Sequence, residues 1–230
     1  MARPSRCPPT SPRPSAADLA DLVLLRHGRT DWNAEHRIQG QSDSQLDELG
    51  HAQARAAAPV LAKLAPAVLW SSDSDRARDT AAYVGAACGL DATYDARLRE
   101  YSLGPREGLL HHEFEAADPA EYAEFARANW DAVAGAEKDV AVIARMTEAL
   151  TEVAELLPAD GVAVVVSHGA SIRTGLAAML GWPAGQALTL RGMDNCGWAV
   201  LRRGSASEPW RLRAYNRTVP PDFSPPPAVG

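Results

Sequence analysis

Cysteine is scarce: the chain has three, Cys7, Cys88 and Cys196, scattered and odd in number. That excludes a disulfide framework and a thiolate zinc site, and makes a reducing cytoplasm the expected compartment. Long hydrophobic runs are missing too, since no stretch approaches the roughly 18 consecutive apolar residues of a membrane span. The first residues, MARPSRCPPTSPRPS, carry positive charge with no apolar run behind it, and so do not read as a secretory leader. Positive charge is in deficit: 23 Lys and Arg against 29 Asp and Glu leave a net charge of −6. Neither nucleic acid nor an anionic membrane is then an expected partner. A small anion remains open, because a few arginines gathered in one cleft can reverse the local potential.

What is present fits one α/β domain: 230 residues, 46% hydrophobic and 23% charged. Residues 1–17, rich in Pro, Ser and Arg, read as a disordered tail, and 218–230 (TVPPDFSPPPAVG) as a second, Pro-rich one. Between them, at 18–217, strand and helix patterns alternate. LVLL (22–25) is a short buried strand ending at Arg26. A helix face follows at Leu49, Ala52, Ala56, Val60 and Leu64, with Asp47 as N-cap and Pro59 expected to kink or break it. AVLW (67–70) is a second strand, and Ala77, Ala81, Val84 and Cys88 mark a helix stopped by Gly89. Val140, Ile143, Met146, Leu150, Val153 and Leu157 predict a helix ended by Pro158. VAVVV (162–166) is the clearest strand, and WAVL (198–201) and WRLRAY (210–215) complete the sheet.

This alternation predicts a three-layer α/β/α sandwich with a largely parallel central sheet. Residues 103–138 break the alternation. They are acidic, carry Phe114, Tyr122, Phe125 and Trp130, and read as a small helical insertion over the active site. Its aromatics are expected to pack onto the sheet rather than face a ligand.

Ligands of open α/β sheets sit beyond the carboxyl ends of the strands. Two strands here end in histidine followed by glycine: LVLL-Arg26-His27-Gly28 and VAVVV-Ser167-His168-Gly169. Phosphoryl transfer needs an in-line nucleophile and positive donors around the equatorial oxygens. Arg26, Arg76 and His168 are the candidates for donors, arginine being suited by its planar, permanently charged fork. Glu100, in LREYSLG, is the candidate general acid for a poor alkoxide leaving group.

Taken together, these segments resemble the histidine phosphatase superfamily, the phosphoglycerate-mutase-like proteins. Arg26-His27-Gly28-Arg29-Thr30-Asp31-Trp32-Asn33 is similar to its RHGxTxxN signature. Ser71-Ser72 with Arg76-Ala77 and Thr80-Ala81, Leu98-Arg99-Glu100 with Gly104 and Glu107-Gly108, and Ser167-His168-Gly169 with Ile172-Arg173 resemble its later segments, in the same order. The resemblance implies that His27 becomes phosphorylated, that Arg26, Arg76 and His168 hold the phosphoryl oxygens, and that Glu100 moves the proton. It implies substrate contacts from Gly28, Asn33, Gln39 and Gly169. It implies no metal and no cofactor; His111-His112-Glu113 is the one metal-like run, and neighbouring side chains on a helix diverge.

The expected substrate is a small phosphorylated metabolite, such as a sugar or glycerate phosphate. Oligomeric state is unreadable, although dimers occur among such proteins. Two alternatives stay open: a cofactor-dependent phosphoglycerate mutase and a non-catalytic phospholigand sensor. Against the mutase, no arginine follows Glu100, and between 101 and 138 only Arg106, Arg127 and Lys138 are basic. Ile38-Gln39-Gly40-Gln41, Gly192-Met193-Asp194-Asn195 and Trp210-Arg211-Leu212 resemble outer segments of the phosphatase branch, read as lying off the phosphate site. A departure is Gly135-Ala136-Glu137-Lys138, where the branch has Gly-Gly-Glu-Ser.

Overall fold

The structure is a computed structural model that describes residues 19–183, 185–205 and 207–223. The expected tail at 1–17 and most of the one at 218–230 lie outside those residues. At the centre is a six-stranded sheet of order β3-β2-β4-β1-β5-β6. Its strands are β1 (Ala20–Arg26), β2 (Val68–Ser71), β3 (Thr93–Tyr94), β4 (Val162–Ser167), β5 (Trp198–Arg203) and β6 (Arg211–Arg217). β3, β2, β4 and β1 run parallel, while β5 pairs antiparallel with both β1 and β6. The sheet is thus mixed but mostly parallel, as expected.

Period-two alternation divides the two central strands between two cores. Leu22, Leu24, Ala163 and Val165 face α6 (Asp139–Glu155) and α7 (Gly169–Met179), meeting Met146, Leu150, Ile172 and Leu176. Val23, Leu25, Val164 and Val166 face α2 (Glu48–Ala62) and α3 (Asp75–Cys88), meeting Leu61, Ala77, Ala81 and Val84. All eight strand residues are fully buried. A strand covered on both faces reads as an unbroken apolar run, which is why LVLL and VAVVV stood out. Each large aliphatic side chain so buried contributes about 1.5–3 kcal/mol.

Two helix faces differ from expectation. On α2 the buried positions are Gly50, Ala52, Ala54, Ala57, Ala58 and Leu61, whereas Leu64 is exposed. Small residues win because this helix approaches the β1 exit closely: a Cβ on Gly50 would lie 2.0 Å from the Arg29 carbonyl oxygen. Pro59 does not break α2; it sits on the exposed side, where water can serve the backbone that its ring deprives of a donor. On α6, Val142, Ala149 and Ala154 are buried with Met146, Leu150 and Val153, while Val140 is 73% exposed. Val140 and Ile143 instead line a groove with Trp182 and Leu188. The caps follow the sequence: the Asp47 side chain accepts from the Gly50 amide at the start of α2, and Gly89 ends α3 in the left-handed region at φ 69°.

Short elements at 103–138 stand over the carboxyl end of the sheet. They are α4 (His111–Ala117) and α5 (Pro119–Ala126), with 3-10 turns at Gly104–Arg106 and Trp130–Ala132; the one-turn α1 (Asp31–Ala34) follows β1. Among the described residues no helix is long and apolar enough to cross a membrane.

Candidate active site

Register places the two histidines. Arg26 is the parallel partner of Ser167, so the next residue on each strand, His27 and His168, leaves the sheet beside the other. The His27 amide donates to the Ser167 carbonyl at 3.0 Å, and the ring centroids lie 5.2 Å apart. Gly28 then turns the chain under α2: a Cβ there would lie 2.7 Å from the Gly50 carbonyl oxygen. At Gly169 a Cβ would lie 3.4 Å from Arg26 Nε, so the missing side chain leaves room for that guanidinium.

His27 is 3% exposed, and its Nδ1 lies 2.7 Å from the Gly28 carbonyl oxygen. A carbonyl can only accept, so Nδ1 carries the proton and Nε2 keeps its lone pair. Burial pushes the imidazole well below its ordinary pKa, and the Arg76 and Arg26 guanidiniums push it further; the Gly28 bond opposes them. His168 is lowered as well, by burial, then Arg76, then His27. Both rings are therefore neutral at pH 7.

Donors surround them. Arg76, on the first turn of α3, is 1% exposed and gives its Nη1 and Nη2 to the carbonyls of Ser42 and Gly40, both at 2.7 Å. Arg26 gives Nη1 to the Met193 carbonyl. His168 Nε2 lies 2.9 Å from Ser72 Oγ and 3.3 Å from Ser74 Oγ. Among the described residues, Arg26 Nε, Arg76 Nε and His168 Nδ1 are buried with no hydrogen-bond partner. Leaving a buried polar group unsatisfied costs about 1–3 kcal/mol, so these three donors, on residues at the strand ends and the start of α3, are suited to an anionic partner. Burial lowers Arg76 to about 10, which still leaves its guanidinium charged at neutral pH, and lowers Arg26 too, against the opposing pull of Glu100.

Glu100 is held at the N-terminus of α7. Its Oε1 accepts from the amides of Tyr101 (3.0 Å) and Ser171 (2.9 Å) and from Ser171 Oγ (3.0 Å). Oε2 accepts only from the Ala170 amide at 3.0 Å, and so is the oxygen with bonding capacity left.

Arg26, His27, Arg76 and Glu100 line one cavity of about 240 Å³, together with Asn33 and Gln39. Asn33 is fixed by Thr30 and Asn195, and Gln39 by Ser44 Oγ at 2.8 Å. Of the residues singled out in the sequence, Gly28, His168 and Gly169 stand behind this surface rather than on it. The outer segments are corrected in the opposite sense. Met193 and Asn195 bond Arg26 and the His27 carbonyl, and Gly40 bonds Arg76, so two of the three segments brace the site itself. They are far from the strand ends in sequence, and only the folded turn reveals the contact.

The insertion also departs in part from its reading. Phe114 is 1% exposed and packs into the core, as expected, but Phe125 and Trp130 line the cavity together with Leu103 and His111. Glu113 accepts from the Leu110 amide at 2.8 Å and His111 Nδ1 lies 3.2 Å from the Tyr122 hydroxyl. Among the described residues no group of three or more His, Cys, Asp or Glu is placed to hold a metal. Four further residues have no role assigned from the sequence. Arg37 lines the cavity, held to the Gly108 carbonyl. Glu107 accepts from the amides of Gln41 (3.1 Å) and Leu103 (2.8 Å) and from Ser42 Oγ (2.7 Å), fixing the loop that grips Arg76. Glu137 and Arg145 tie the Glu100 loop to α6. Arg37 and Arg145 have no spacing signal, and Glu107 and Glu137 stand in segments already quoted without any sign of what they bond.

The sequence profile of the histidine phosphatase superfamily (branch 1) matches residues 22–218, and this chain belongs to that family. It is a hydrolase of the superfamily. Glucosyl-3-phosphoglycerate phosphatase of Mycobacterium tuberculosis is 42% identical over 212 residues, covering 86% of this chain and 95% of the relative. Phosphoglycerate mutase-like protein 4 of Arabidopsis thaliana is 37% identical over 161 residues, covering 68% and 70%. The mycobacterial glucosyl-3-phosphoglycerate phosphatase solved with VO3 superimposes with a TM-score of 0.79 at 41% identity, covering 86% of this chain and 99% of that one.

Proposed function

We propose that residues 18–217 form a metal-independent phosphomonoester hydrolase acting by double displacement, with 103–138 as its cap. His27 Nε2 attacks phosphorus, a P–N bond forms, and the P–O bond to the leaving group breaks. The Glu100 carboxyl delivers its proton from Oε2 to the departing oxygen. In the second step the same carboxylate takes a proton from water, whose oxygen displaces His27 from phosphorus. Arg26 and Arg76, which line the cavity, hold the non-bridging oxygens, with His168 reaching them from just behind that surface. The observation that carries this reading is the fixed tautomer of His27, a neutral imidazole whose lone pair is on Nε2.

The preferred substrate is a small sugar or glycerate phosphate. The cavity volume suits one small metabolite, Phe125 and Trp130 offer flat surfaces to a sugar, and the mycobacterial relatives act on glucosyl-3-phosphoglycerate. A mutase would need cations to retain a bisphosphorylated intermediate. The three basic residues of 101–138 are engaged elsewhere: Arg106 with Glu121, Arg127 with Glu124, and Lys138 with the Asp131 carbonyl. Water therefore intercepts the phosphohistidine.

The test is turnover of 4-nitrophenyl phosphate in EDTA alongside a panel of sugar and glycerate phosphates. Undiminished turnover that disappears in His27→Ala supports the reading. Turnover lost to EDTA or retained in His27→Ala refutes it. Binding without turnover would mark a sensor, and conversion of 3- to 2-phosphoglycerate a mutase.

A further inference from the structure

Glu100 belongs to neither a helix nor a strand; it sits on the loop that follows the Ala96–Leu98 turn. Yet an acid must be held to a fraction of an ångström to protonate a leaving oxygen in flight. Single bonds hold it at several points, from Gln41 Nε2 to the Glu100 carbonyl (3.0 Å), from Ser167 Oγ to that of Leu98 (2.7 Å) and from Ser171 Oγ to that of Arg99 (2.8 Å), but one side chain spans three of its carbonyls. Arg145, midway along α6, donates Nη1 to the carbonyls of Arg97 (2.8 Å) and Arg99 (2.6 Å), and Nη2 to that of Glu100 itself (3.0 Å). Its Nε and Nη2 also donate to the two oxygens of Glu137, at 2.8 and 2.9 Å. Those five bonds use all five donors of the guanidinium. Glu137 is in turn stitched to the loop, giving its amide to the Ser102 carbonyl (2.7 Å) and accepting from the Ser102 amide (3.2 Å). The pair is largely buried, with side chains 15% and 19% exposed.

We infer that Arg145, oriented by Glu137, is the positioning residue that sets where Glu100 delivers its proton. It does not line the cavity. It acts through the backbone on either side of the acid, tying three carbonyls of the loop to α6 while the α7 amides hold the carboxyl itself. Lysine could not replace it, because an ammonium has three donors and no planar fork to span three carbonyls and a carboxylate. The departure at Lys138 leaves this clamp intact, since the residue the clamp needs, Glu137, is retained.

This inference rests on Glu100 being the acid, and one comparison separates the two. The specificity constants of Glu100→Gln, Arg145→Lys and the double variant are measured on glycerol 3-phosphate, a poor leaving group, and on 4-nitrophenyl phosphate, a good one. Arg145→Lys is expected to lose about ten- to a hundredfold on the alkyl ester and less than about threefold on the nitrophenyl ester. Vanadate inhibition, which reads the phosphate seat alone, should move less than about threefold, and the double variant should be no worse on the alkyl ester than Glu100→Gln. Equal losses on both esters in Arg145→Lys, no loss at all, or an additive double variant overturns the inference. Equal losses in Glu100→Gln remove Glu100 from the acid role instead, and the inference with it. Glu137→Gln, which keeps the shape but weakens the fork, should show the same leaving-group split at smaller amplitude; losses on both esters alike would count against the clamp.

Discussion

On the side of the cavity formed by the ends of β1 and β4, groups are placed by main-chain register. Arg26 opposite Ser167 sets His27 beside His168, and backbone carbonyls at Gly28, Gly40, Ser42 and Met193 orient the imidazole and both guanidiniums. On the opposite side, the insertion presents Leu103, His111, Phe125 and Trp130 from short helices and turns tied by side-chain pairs such as Arg106–Glu121. On the proposed reading, the first side supplies the chemistry that any phosphate ester requires, and the second meets whatever the phosphate is attached to. Substitutions on the two sides should therefore differ in kind.

The largest expected effect is on the strand-end side. Arg76→Ala should lower kcat/KM about a hundred- to a thousandfold on every ester and weaken vanadate inhibition, because it removes one fixed donor from developing charge. It should also destabilise the fold, since the carbonyls of Gly40 and Ser42 lose their buried partner. Inhibition by vanadate equal to that of the unmodified enzyme would break the contrast. On the cap side, Phe125→Ala should reorder the substrates, changing the ratio between a sugar phosphate and 4-nitrophenyl phosphate about tenfold while the rate of phosphoenzyme formation from the latter stays within about threefold. A uniform loss across all esters would mean that the cap supports the chemistry as well.

The smallest effect is a pH dependence of stability. His27 and His168 have folded pKa values below that of an unfolded imidazole, near 6.5. As pH falls through that value the unfolded chain takes up protons that the native rings refuse, so stability falls, by at most about 1.4 kcal/mol per pH unit for each ring. Stability is thus full above about pH 6.5 and declines below it. His111, lowered by burial and then by His36, adds in the same direction from the cap. Melting temperatures between pH 7.5 and 5.5 should show a shallower acid slope in His168→Asn than in the unmodified chain. An unchanged slope would show that the buried ring is not the source.

The same division governs what could be read from the sequence. Strands buried on both faces, ended by His-Gly, announce both the sheet and its catalytic end, because periodicity and strand-end chemistry are local properties. Arg76 was harder, a charged residue in a charged helix start, and its burial became visible only with the carbonyls of Gly40 and Ser42 around it. Arg145 carries no signal, and the roles of Glu137, Glu107 and Asn195 are not readable from the segments that contain them, since most of their partners are far away in sequence. The helix faces on α2 and α6 went partly astray for a related reason. Close approach by alanine and glycine, not the largest apolar residues, decides which side of α2 faces the sheet.

The proposed mechanism turns on one nitrogen. With Nδ1 of His27 donating to the Gly28 carbonyl, phosphorylation must fall on Nε2. Rapid acid-free quenching during turnover, followed by mapping of the modified residue and identification of the phosphohistidine isomer, reads this directly. Phosphate on Nε2 of His27 is the predicted result; phosphate on Nδ1 or on any other residue, or turnover with no phosphoenzyme under conditions where hydrolysis of the intermediate is rate-limiting, would contradict it.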